Sequence, residues 1–281
     1  EALLRTARLR LASRAASLRL AVQFNHATSV TILTLQSQVA YGHVGNSAAA
    51  FALQRVGCEA VAVPTVLLSN HPGYGHARGA PVAPSLIADM IEGLDAVGAL
   101  DRCEGVLTGY LPSAETGAAV LDAALRAQAK GAIWLCDPVF GDEGRIYARA
   151  GVMEFLRDAA IPCADIATPN LFELETLTGL RVGNLDSARA AMAALRGRGP
   201  RAVLCTSFER ETPAGALDVL ALDDGGMWRA RTARLDRRFE GAGDLFAALF
   251  LAAWLDTRAT APALGRASAG VAAVLEATQG A

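Results

Sequence analysis

Lysine is almost missing from this 281-residue chain, because Lys130 is the only lysine among 26 basic residues and the others are arginines. A Walker-type phosphate loop needs a lysine between a glycine and a serine or threonine. Lys130 is followed by Gly131 and Ala132, so the sequence contains no such loop. Enzymes that hold pyridoxal phosphate on a buried Schiff-base lysine are also excluded. Lys130 lies between a polar helical stretch and an apolar strand, where a surface position is predicted.

Paired cysteines, clustered histidines and long apolar runs are missing too. The five cysteines are widely spaced without a CxxC pair, which predicts buried thiols in a reducing compartment such as the cytoplasm. The four histidines do not have the spacing of a zinc site. The longest apolar run, at 245–255, is shorter than the roughly 20 residues that cross a bilayer, so no membrane span is expected. A net charge of −2 gives no reason to expect nucleic acid.

The first residues differ from the rest of the chain. Residues 1–26 carry five arginines and a single acid, Glu1, which is the composition of an organelle transit peptide. A cloning remnant or a mistaken upstream start is the alternative, since the chain does not begin with Met. We therefore expect residues 1–27 to be a basic extension, targeting or disordered, and residues 28–281 to form one domain.

From Ser29 onward, short apolar runs alternate with helical patterns. Val30 to Leu35 predicts a first strand, Asn46 to Val56 a helix ended by Gly57, and Ala60 to Leu67 a second strand. Further strands are predicted at 105–108, 132–136, 166–167 and 202–205. This alternation is typical of an α/β fold, so we predict a three-layer α/β/α sandwich around a mostly parallel sheet. Ligands of such sheets bind beyond the carboxyl ends of the strands, and the loops there are the candidate site.

The strongest local pattern is Gly241-Ala242-Gly243-Asp244 directly before an apolar helix. Small residues at a helix N-terminus let backbone N–H groups converge on an anion, and the helix dipole adds positive potential. A carboxylate beside such an anion hole is placed to accept a proton from an attacking hydroxyl. The alternative is structural: Asp244 caps the helix and the glycines turn the chain.

Two further acidic motifs follow predicted strands. Asp137 and Asp142 follow the strand that ends at Cys136, where acids can position a cation near phosphates; an Asx turn before Pro138 is the alternative. Thr168 to Glu175 contains Glu173 in the first turn of a helix, and a capping box with Asn170 is the alternative there. Together with an anion hole, these motifs favour phosphoryl transfer, which needs charge neutralisation, positioning and a base.

Four stretches carry a resemblance to a known family. Gly241 to Asp244 is similar to the anion-hole and base motif of the ribokinase-like kinases. Gln36 to Ser47, Ser69 to Gly75 and Leu107 to Tyr110 resemble the pyridoxal kinases within that superfamily. The resemblance covers the chain from about residue 29 onward and implies ATP-dependent phosphorylation of the 5′-hydroxymethyl group of pyridoxal, with pyridoxine and pyridoxamine as further candidates.

By position, the resemblance implies roles for individual residues. Ser37 would hydrogen-bond the pyridine ring, Tyr110 would pack on it, and the loop at Pro72 and Gly73 would close one side of the pocket. Asp244 would be the general base, and the backbone of Gly241, Ala242 and Gly243 the anion hole. The ATP site would contain Asp137, Asp142, Thr168, Glu173, Thr206 and Phe239, with Asp137 and Glu173 serving the metal ion. Mg²⁺ with ATP, K⁺ as a monovalent ion, and a homodimer are implied in the same way.

Three positions depart from the family pattern. Pro72 stands where Thr is usual and removes a hydroxyl and a backbone donor, Ala242 replaces the usual Thr, and Pro112 stands where Gly is common. Two other functions remain open. One is a kinase of the same fold for hydroxymethylpyrimidine or a sugar, and the other is a pyridoxal phosphate carrier without catalytic activity.

Overall fold

A ten-stranded mixed sheet forms the centre of the molecule. The computed structural model describes residues 4–6, 30–237 and 239–279. Within these ranges the strands are β1 (Leu4–Thr6), β2 (Thr31–Tyr41), β3 (Glu59–Asn70), β4 (Gly79–Pro81), β5 (Cys103–Thr108), β6 (Ile133–Cys136), β7 (Gly141–Asp142), β8 (Arg145–Ile146), β9 (Ile166–Ala167), β10 (Ala202–Phe208), β11 (Ala216–Asp223) and β12 (Gly226–Ala233). β7 and β8 pair with each other as a separate small hairpin.

The strand order locates the expected ligand site. Across the sheet the order is β1-β12-β11-β10-β9-β6-β5-β2-β3-β4. β2, β3, β5, β6, β9 and β10 are parallel. β4 joins β3 antiparallel, β11 is antiparallel to both β10 and β12, and β1 joins β12 in parallel. β3 lies on one side of β2 and β5 on the other, so the chain reverses its winding direction there. Ligands of open α/β sheets bind at such a switch point.

Helices cover both faces of the sheet. They are α1 (Asn46–Arg55), α2 (Pro84–Ala96), α3 (Ala114–Ala129), α4, which runs through Val152–Phe155, the π-turn Leu156–Ala160 and Ile161–Cys163, α5 (Leu171–Thr178), α6 (Leu185–Arg196), α7 (Ala242–Thr257) and α8 (Thr260–Gln279). One apolar cluster joins the sheet to α2 through α6, and a second joins its other face to α1, α7 and α8. The predicted three-layer sandwich is confirmed.

The side chains of β2 show how the two cores arise from one strand. Leu33 and Leu35 point into the first cluster and Ile32 into the second, as the period-two alternation of a strand requires. All three are fully buried, because helices cover both faces. Burial on both faces favours apolar residues in a parallel strand, and the polar residues Thr34 and Gln36 of β2 are buried with a hydrogen bond between them, which the Gln36 amide donates to the Thr34 hydroxyl at 2.9 Å.

The domain boundary and the cysteines have different outcomes. The predicted extension at 1–27 lies outside the described residues except for β1, which pairs with β12, so the boundary stays a prediction.

Four cysteines are buried thiols outside any disulfide, but Cys163 is exposed. The expectation of burial was wrong for Cys163 because it lies in the last turn of α4, at the surface. Lys130 ends α3 at the surface, as predicted, and pairs there with Asp95 and Asp101.

Candidate active site

One large cleft opens at the carboxyl ends of the parallel strands. Its volume is about 1840 Å³, larger than the roughly 300–1,000 Å³ of a typical single-ligand pocket, so two substrates fit side by side. All fourteen predicted site residues line it: Ser37, Pro72, Gly73, Tyr110, Asp137, Asp142, Thr168, Glu173, Thr206, Phe239, Gly241, Ala242, Gly243 and Asp244. The structure thus brings together residues from seven segments that are distant in sequence.

The N-terminus of α7 faces this cleft. Gly241 adopts a left-handed conformation with φ 84°, and a Cβ at this position would lie 1.8 Å from the His43 carbonyl oxygen. Only glycine therefore fits. A Cβ on Gly243 would meet open space, so the second glycine is not required by packing. The first backbone N–H groups of a helix have no partner within it and can bind an anion.

Asp244 lies in the first turn of α7 and reaches across to another element. Gly241 is the N-cap, and no side chain caps the helix, so the structural alternative of an Asp244 cap is wrong. The Asp244 carboxyl instead accepts a hydrogen bond from the backbone N–H of Gly45, before α1. Burial raises the pKa of Asp244 to about 6, and the charge of Glu240 adds to the rise. A carboxyl with this pKa is ionised at neutral pH and is more basic than an ordinary aspartate.

Gly45 joins the two predicted substrate groups, a role that the sequence reading missed. Its backbone packs so closely on β2 that a Cβ would lie 2.3 Å from the Ser37 hydroxyl oxygen. Ser37 is buried at a register shift in β2. Because the Gly45 amide also binds Asp244, the positions of Ser37 and Asp244 are set by a single backbone segment. Gly45 lies in the stretch from Gln36 to Ser47 that resembles the pyridoxal kinases. A glycine at this position could have suggested the positive φ, 53°, that the structure shows.

Asp137 is buried at the end of β6 and points toward α7. Its Oδ1 accepts a 2.8 Å hydrogen bond from the hydroxyl of Thr168, which follows the neighbouring strand β9. Burial raises the pKa of Asp137 to about 7, with a further contribution from the negative charge of Asp244. The Asp137 carboxyl is thus bonded by Thr168, which is distant in sequence. This long-range contact replaces the local Asx turn that was the alternative.

Glu173 is held entirely by backbone donors. Its Oε1 accepts from the N–H groups of Phe140 (3.0 Å) and Gly141 (3.3 Å), and its Oε2 from that of Asn170 (2.9 Å). The Asn170 side chain accepts from the Glu173 N–H, so the capping box is present. Burial, followed by the charge of Asp137, raises the pKa of Glu173 well above its ordinary value. Glu173 therefore ties the loop after β6 to the start of α5.

Tyr147 and Asn170 are cleft residues to which the sequence reading gave no functional role. Tyr147 follows the β7–β8 hairpin, and its N–H donates to the Phe140 carbonyl at 3.0 Å. About half of its surface is exposed, yet partial burial and the neighbouring carboxylates, first Glu173 and then Asp137, raise its pKa. The Asn170 amide donates to the Gly141 carbonyl at 2.8 Å. Tyr147 could not be found from sequence, because only the hairpin brings it back to the cleft.

The substrate loop between β3 and β4 lines the cleft beside β2. Pro72 starts a short 3₁₀ turn to Tyr74, and the Nδ1 of His71 accepts a 3.2 Å hydrogen bond from the Gly73 N–H. At the neighbouring wall, the Tyr110 carbonyl accepts from the Thr65 hydroxyl at 2.9 Å. The predicted pocket residues Pro72, Gly73 and Tyr110 thus lie together with Ser37 at the switch-point end of the cleft.

The opposite end of the cleft is apolar. One face of α8 contributes Val271 and Leu275, and β11 contributes Leu217 and Val219. Five strand spacings separate β11 from β2 in the sheet order, or about 24 Å at about 4.8 Å each. Phe239 lies on this side beneath the Arg237 guanidinium at 5.5 Å. An aromatic base could be accommodated here, with its phosphates directed back toward α7.

Within the described residues, the acids of the cleft do not form a ready-made metal cluster. No group of three or more His, Cys, Asp or Glu side chains within 4–6, 30–237 and 239–279 forms a metal site. The acids of the cleft could still hold a Mg²⁺ that is mainly bound by phosphates and water, since Mg²⁺ often takes only one or two carboxylates. In the same ranges, no helix is both long and apolar enough to cross a membrane.

Comparison with known proteins identifies the family. Residues 42–280 match the phosphomethylpyrimidine kinase family. Pyridoxal kinase PdxY of Granulibacter bethesdensis is 46% identical over 257 residues, 89% of this chain and 90% of the relative. PdxY of Rubrobacter xylanophilus is 44% identical and covers 89% and 88%. A solved pyridoxal kinase of Leishmania donovani in complex with ADP and pyridoxine has a TM-score of 0.80 and 33% identity, and the match covers 89% of this chain and 87% of that one. The chain therefore belongs to the pyridoxal kinase family.

Proposed function

We propose that this protein transfers the γ-phosphoryl group of ATP to the 5′-hydroxymethyl group of pyridoxal. The observation that carries the proposal is the pairing of Asp244, whose pKa is about 6, with the N-terminus of α7 in the cleft that Ser37 lines. A base and an anion-binding helix end are what phosphoryl transfer to an alcohol requires. Relatives named pyridoxal kinase, one solved with ADP and pyridoxine, support the choice of substrates.

Asp244 removes the proton as the alcohol attacks. The ionised carboxylate, held by the Gly45 amide, accepts the proton of the 5′-hydroxyl. The alcohol oxygen bonds to the γ-phosphorus while the bond between that phosphorus and the β–γ bridging oxygen breaks, and ADP leaves with that electron pair. The N–H groups at Gly241 to Gly243 stabilise the negative charge on the transferring group, because they are oriented before the reaction begins. The N–H of Ala242 would first leave its long hydrogen bond of 3.4 Å to the Phe239 carbonyl.

Asp137, which follows β6, and Glu173 in α5 would hold the divalent cation. Asp137 is the direct candidate, since Thr168 occupies only its Oδ1. The oxygens of Glu173 already accept three backbone hydrogen bonds, so Glu173 would act through a water molecule or by its charge. Mg²⁺ bound here would neutralise phosphate charge. Asp142 on the β7–β8 hairpin would lie beside the same phosphates, and K⁺ remains a prediction from the family.

The nucleotide would lie between α7 and the apolar end of the cleft. Thr206 follows Cys205 in β10, and its N–H donates to the Pro169 carbonyl at 3.0 Å, beside the Asp137–Thr168 pair. Phe239 would contact the base or ribose. The γ-phosphate would then lie between Asp244 and Asp137, where both could act on it.

We also propose that the protein is a homodimer in the cytoplasm. The dimer follows from the resemblance to the family alone. The four buried free thiols suit a reducing compartment. Light scattering at micromolar concentration should give twice the chain mass; a monomer mass would reject the dimer.

A hydroxymethylpyrimidine kinase is the second candidate, because the matching family is described by phosphomethylpyrimidine kinase. Purified protein should be incubated with Mg²⁺-ATP and pyridoxal, hydroxymethylpyrimidine or ribose in parallel, with ADP release and product mass recorded. Pyridoxal should give the highest kcat/KM and a product heavier by one phosphoryl group. Preference for hydroxymethylpyrimidine would replace the proposal, and pyridoxal phosphate binding without any turnover would favour the carrier.

A further inference from the structure

His71 lines the substrate end of the cleft and is held in a fixed orientation. Its ring folds over the following residues, so that Nδ1 accepts the Gly73 N–H at 3.2 Å. The contact is close, because a Cβ on Gly73 would lie 2.9 Å from Nδ1. His71 is the N-cap of the turn Pro72–Tyr74, and this local hydrogen bond sets the direction of the ring.

The hydrogen bond also fixes which nitrogen carries the proton. A neutral imidazole has one acceptor and one N–H donor. Because Nδ1 accepts from Gly73, the proton of neutral His71 must lie on Nε2. Within the described residues no protein group pairs with Nε2. A residue that lines the cleft therefore carries an N–H donor.

The neighbouring residue cannot supply such a donor. Pro72 has neither a backbone N–H nor a side-chain hydroxyl, although it lines the same wall. Pyridoxal presents adjacent oxygen acceptors along one edge of its ring, the 3-oxygen and the 4-formyl oxygen. These acceptors lose hydrogen bonds to water when the ring enters the cleft, so a protein donor is needed opposite them.

We propose that His71 is a specificity-determining residue whose Nε2–H donates to this oxygen-bearing edge of the B6 vitamer. The inference rests on the proposed function, since it assigns a role to His71 within the same pocket. It places a donor on the side of the ring that faces the Pro72 loop, while Ser37 and Asp244 bind from β2 and α7. Pyridoxamine keeps the 3-oxygen but carries an amine in place of the 4-formyl oxygen, so it should bind less well than pyridoxal where the 4-formyl oxygen is the acceptor.

Two substitutions separate the donor from the loop cap. In His71→Asn, the amide oxygen can still accept the Gly73 N–H, because Asn caps turns in the same way, but the side chain is too short to place a donor at the position of Nε2. His71→Ala removes both functions. His76→Asn is the matched control, since exposed His76 lies in the same loop and outside the cleft lining.

The dissociation constant should be measured for pyridoxal, 3-deoxypyridoxal, pyridoxine and 4-deoxypyridoxine, each with a non-hydrolysable ATP analogue present. Loss of one hydrogen bond should weaken pyridoxal binding to His71→Asn about five- to tenfold, with kcat nearly unchanged. The weakening should disappear for whichever analogue lacks the bonded oxygen, which identifies that oxygen. His76→Asn should match the wild type throughout.

Two outcomes would overturn the inference. One is a His71→Asn protein that binds every vitamer as the wild type does while His71→Ala is weakened, because His71 would then serve only as a loop cap. The other is equal weakening for pyridoxal and both deoxy analogues. If the wild-type protein itself does not bind or phosphorylate any vitamer, the proposed function fails instead, so the two failures are distinguishable.

Discussion

Replacing Asp244 by asparagine tests the proposed chemistry most directly. Asparagine keeps the size of the side chain, and its amide oxygen can still accept the hydrogen bond from Gly45 that Asp244 accepts. It removes only the charge and the ability to take up a proton. A positioned general base contributes about 10²- to 10⁴-fold to a rate, which is about 3–5 kcal/mol of activation free energy. We therefore expect kcat to fall by at least about a hundredfold.

The Asp244→Asn protein should be more stable than the wild type, although its turnover falls. The folded protein raises the pKa of Asp244 from its ordinary value of 3.8 to about 6 because the carboxyl is buried. A raised carboxyl pKa means that the ionised form of Asp244 is disfavoured in the folded protein. The resulting loss of folding free energy is complete above about pH 6 and vanishes below about pH 4. The difference corresponds to about 3 kcal/mol at most. At pH 7.5 the Asp244→Asn protein should melt at the same temperature as the wild type or higher.

The assay combines turnover, binding and pH. ADP release with pyridoxal gives kcat, and titration calorimetry gives the affinities for pyridoxal and the ATP analogue, which should be nearly unchanged. The wild-type kcat should fall as the pH drops through about 6, and the small residual rate of the variant should lack this dependence. Asp186→Asn is the control, because exposed Asp186 also lies in a first helical turn, that of α6. A variant that keeps more than about a tenth of the normal turnover would refute the assigned role.

Three other predictions follow from the same geometry. Gly241→Ala should lower the melting temperature and abolish turnover, because its Cβ would lie 1.8 Å from a carbonyl oxygen. Gly243→Ala should fold normally. Thermal melts of the two variants test this difference. Asn170→Ala should cost about 1–2 kcal/mol in urea unfolding, since it removes the helix cap on the Glu173 N–H and the hydrogen bond to the Gly141 carbonyl, and an unchanged midpoint would contradict the described contacts. Deletion of residues 1–26 should leave kcat unchanged; a folded but inactive truncation would show that these residues contribute to the site.

The sequence predicted the buried parallel strands well. β5, β6 and β9 are short apolar runs bounded by turn residues, and β9 was predicted with its observed bounds, Ile166–Ala167. Such strands are covered on both faces, so local composition is sufficient to find them. The predicted ends of β2, β3 and β10 were too early, because these strands continue into polar residues of the cleft.

The antiparallel part of the sheet was missed. β11 and β12 form a hairpin whose register closes at Asp223 and Gly226, and the sequence between them, Asp224-Gly225, is a standard hairpin turn. The signal was therefore present but was not used. β4 and the β7–β8 hairpin could not have been predicted from the sequence, because strands of two or three residues form only when their partners are already in place.

The three acidic motifs each allowed a local and a long-range interpretation, and sequence separation explains the outcomes. The capping box of Asn170 and Glu173 spans three residues, so the local pattern is sufficient to predict it. The hydrogen bonds from Thr168 to Asp137 and from Phe140 to Glu173 span 31 and 33 residues. Such contacts depend on which strands become neighbours, and a single motif carries no information on that. Glu173 makes both kinds of contact, so its capping role and its place in the cleft are not alternatives. A local role explains why a residue type occurs at a position, and only the fold decides what else that side chain can reach.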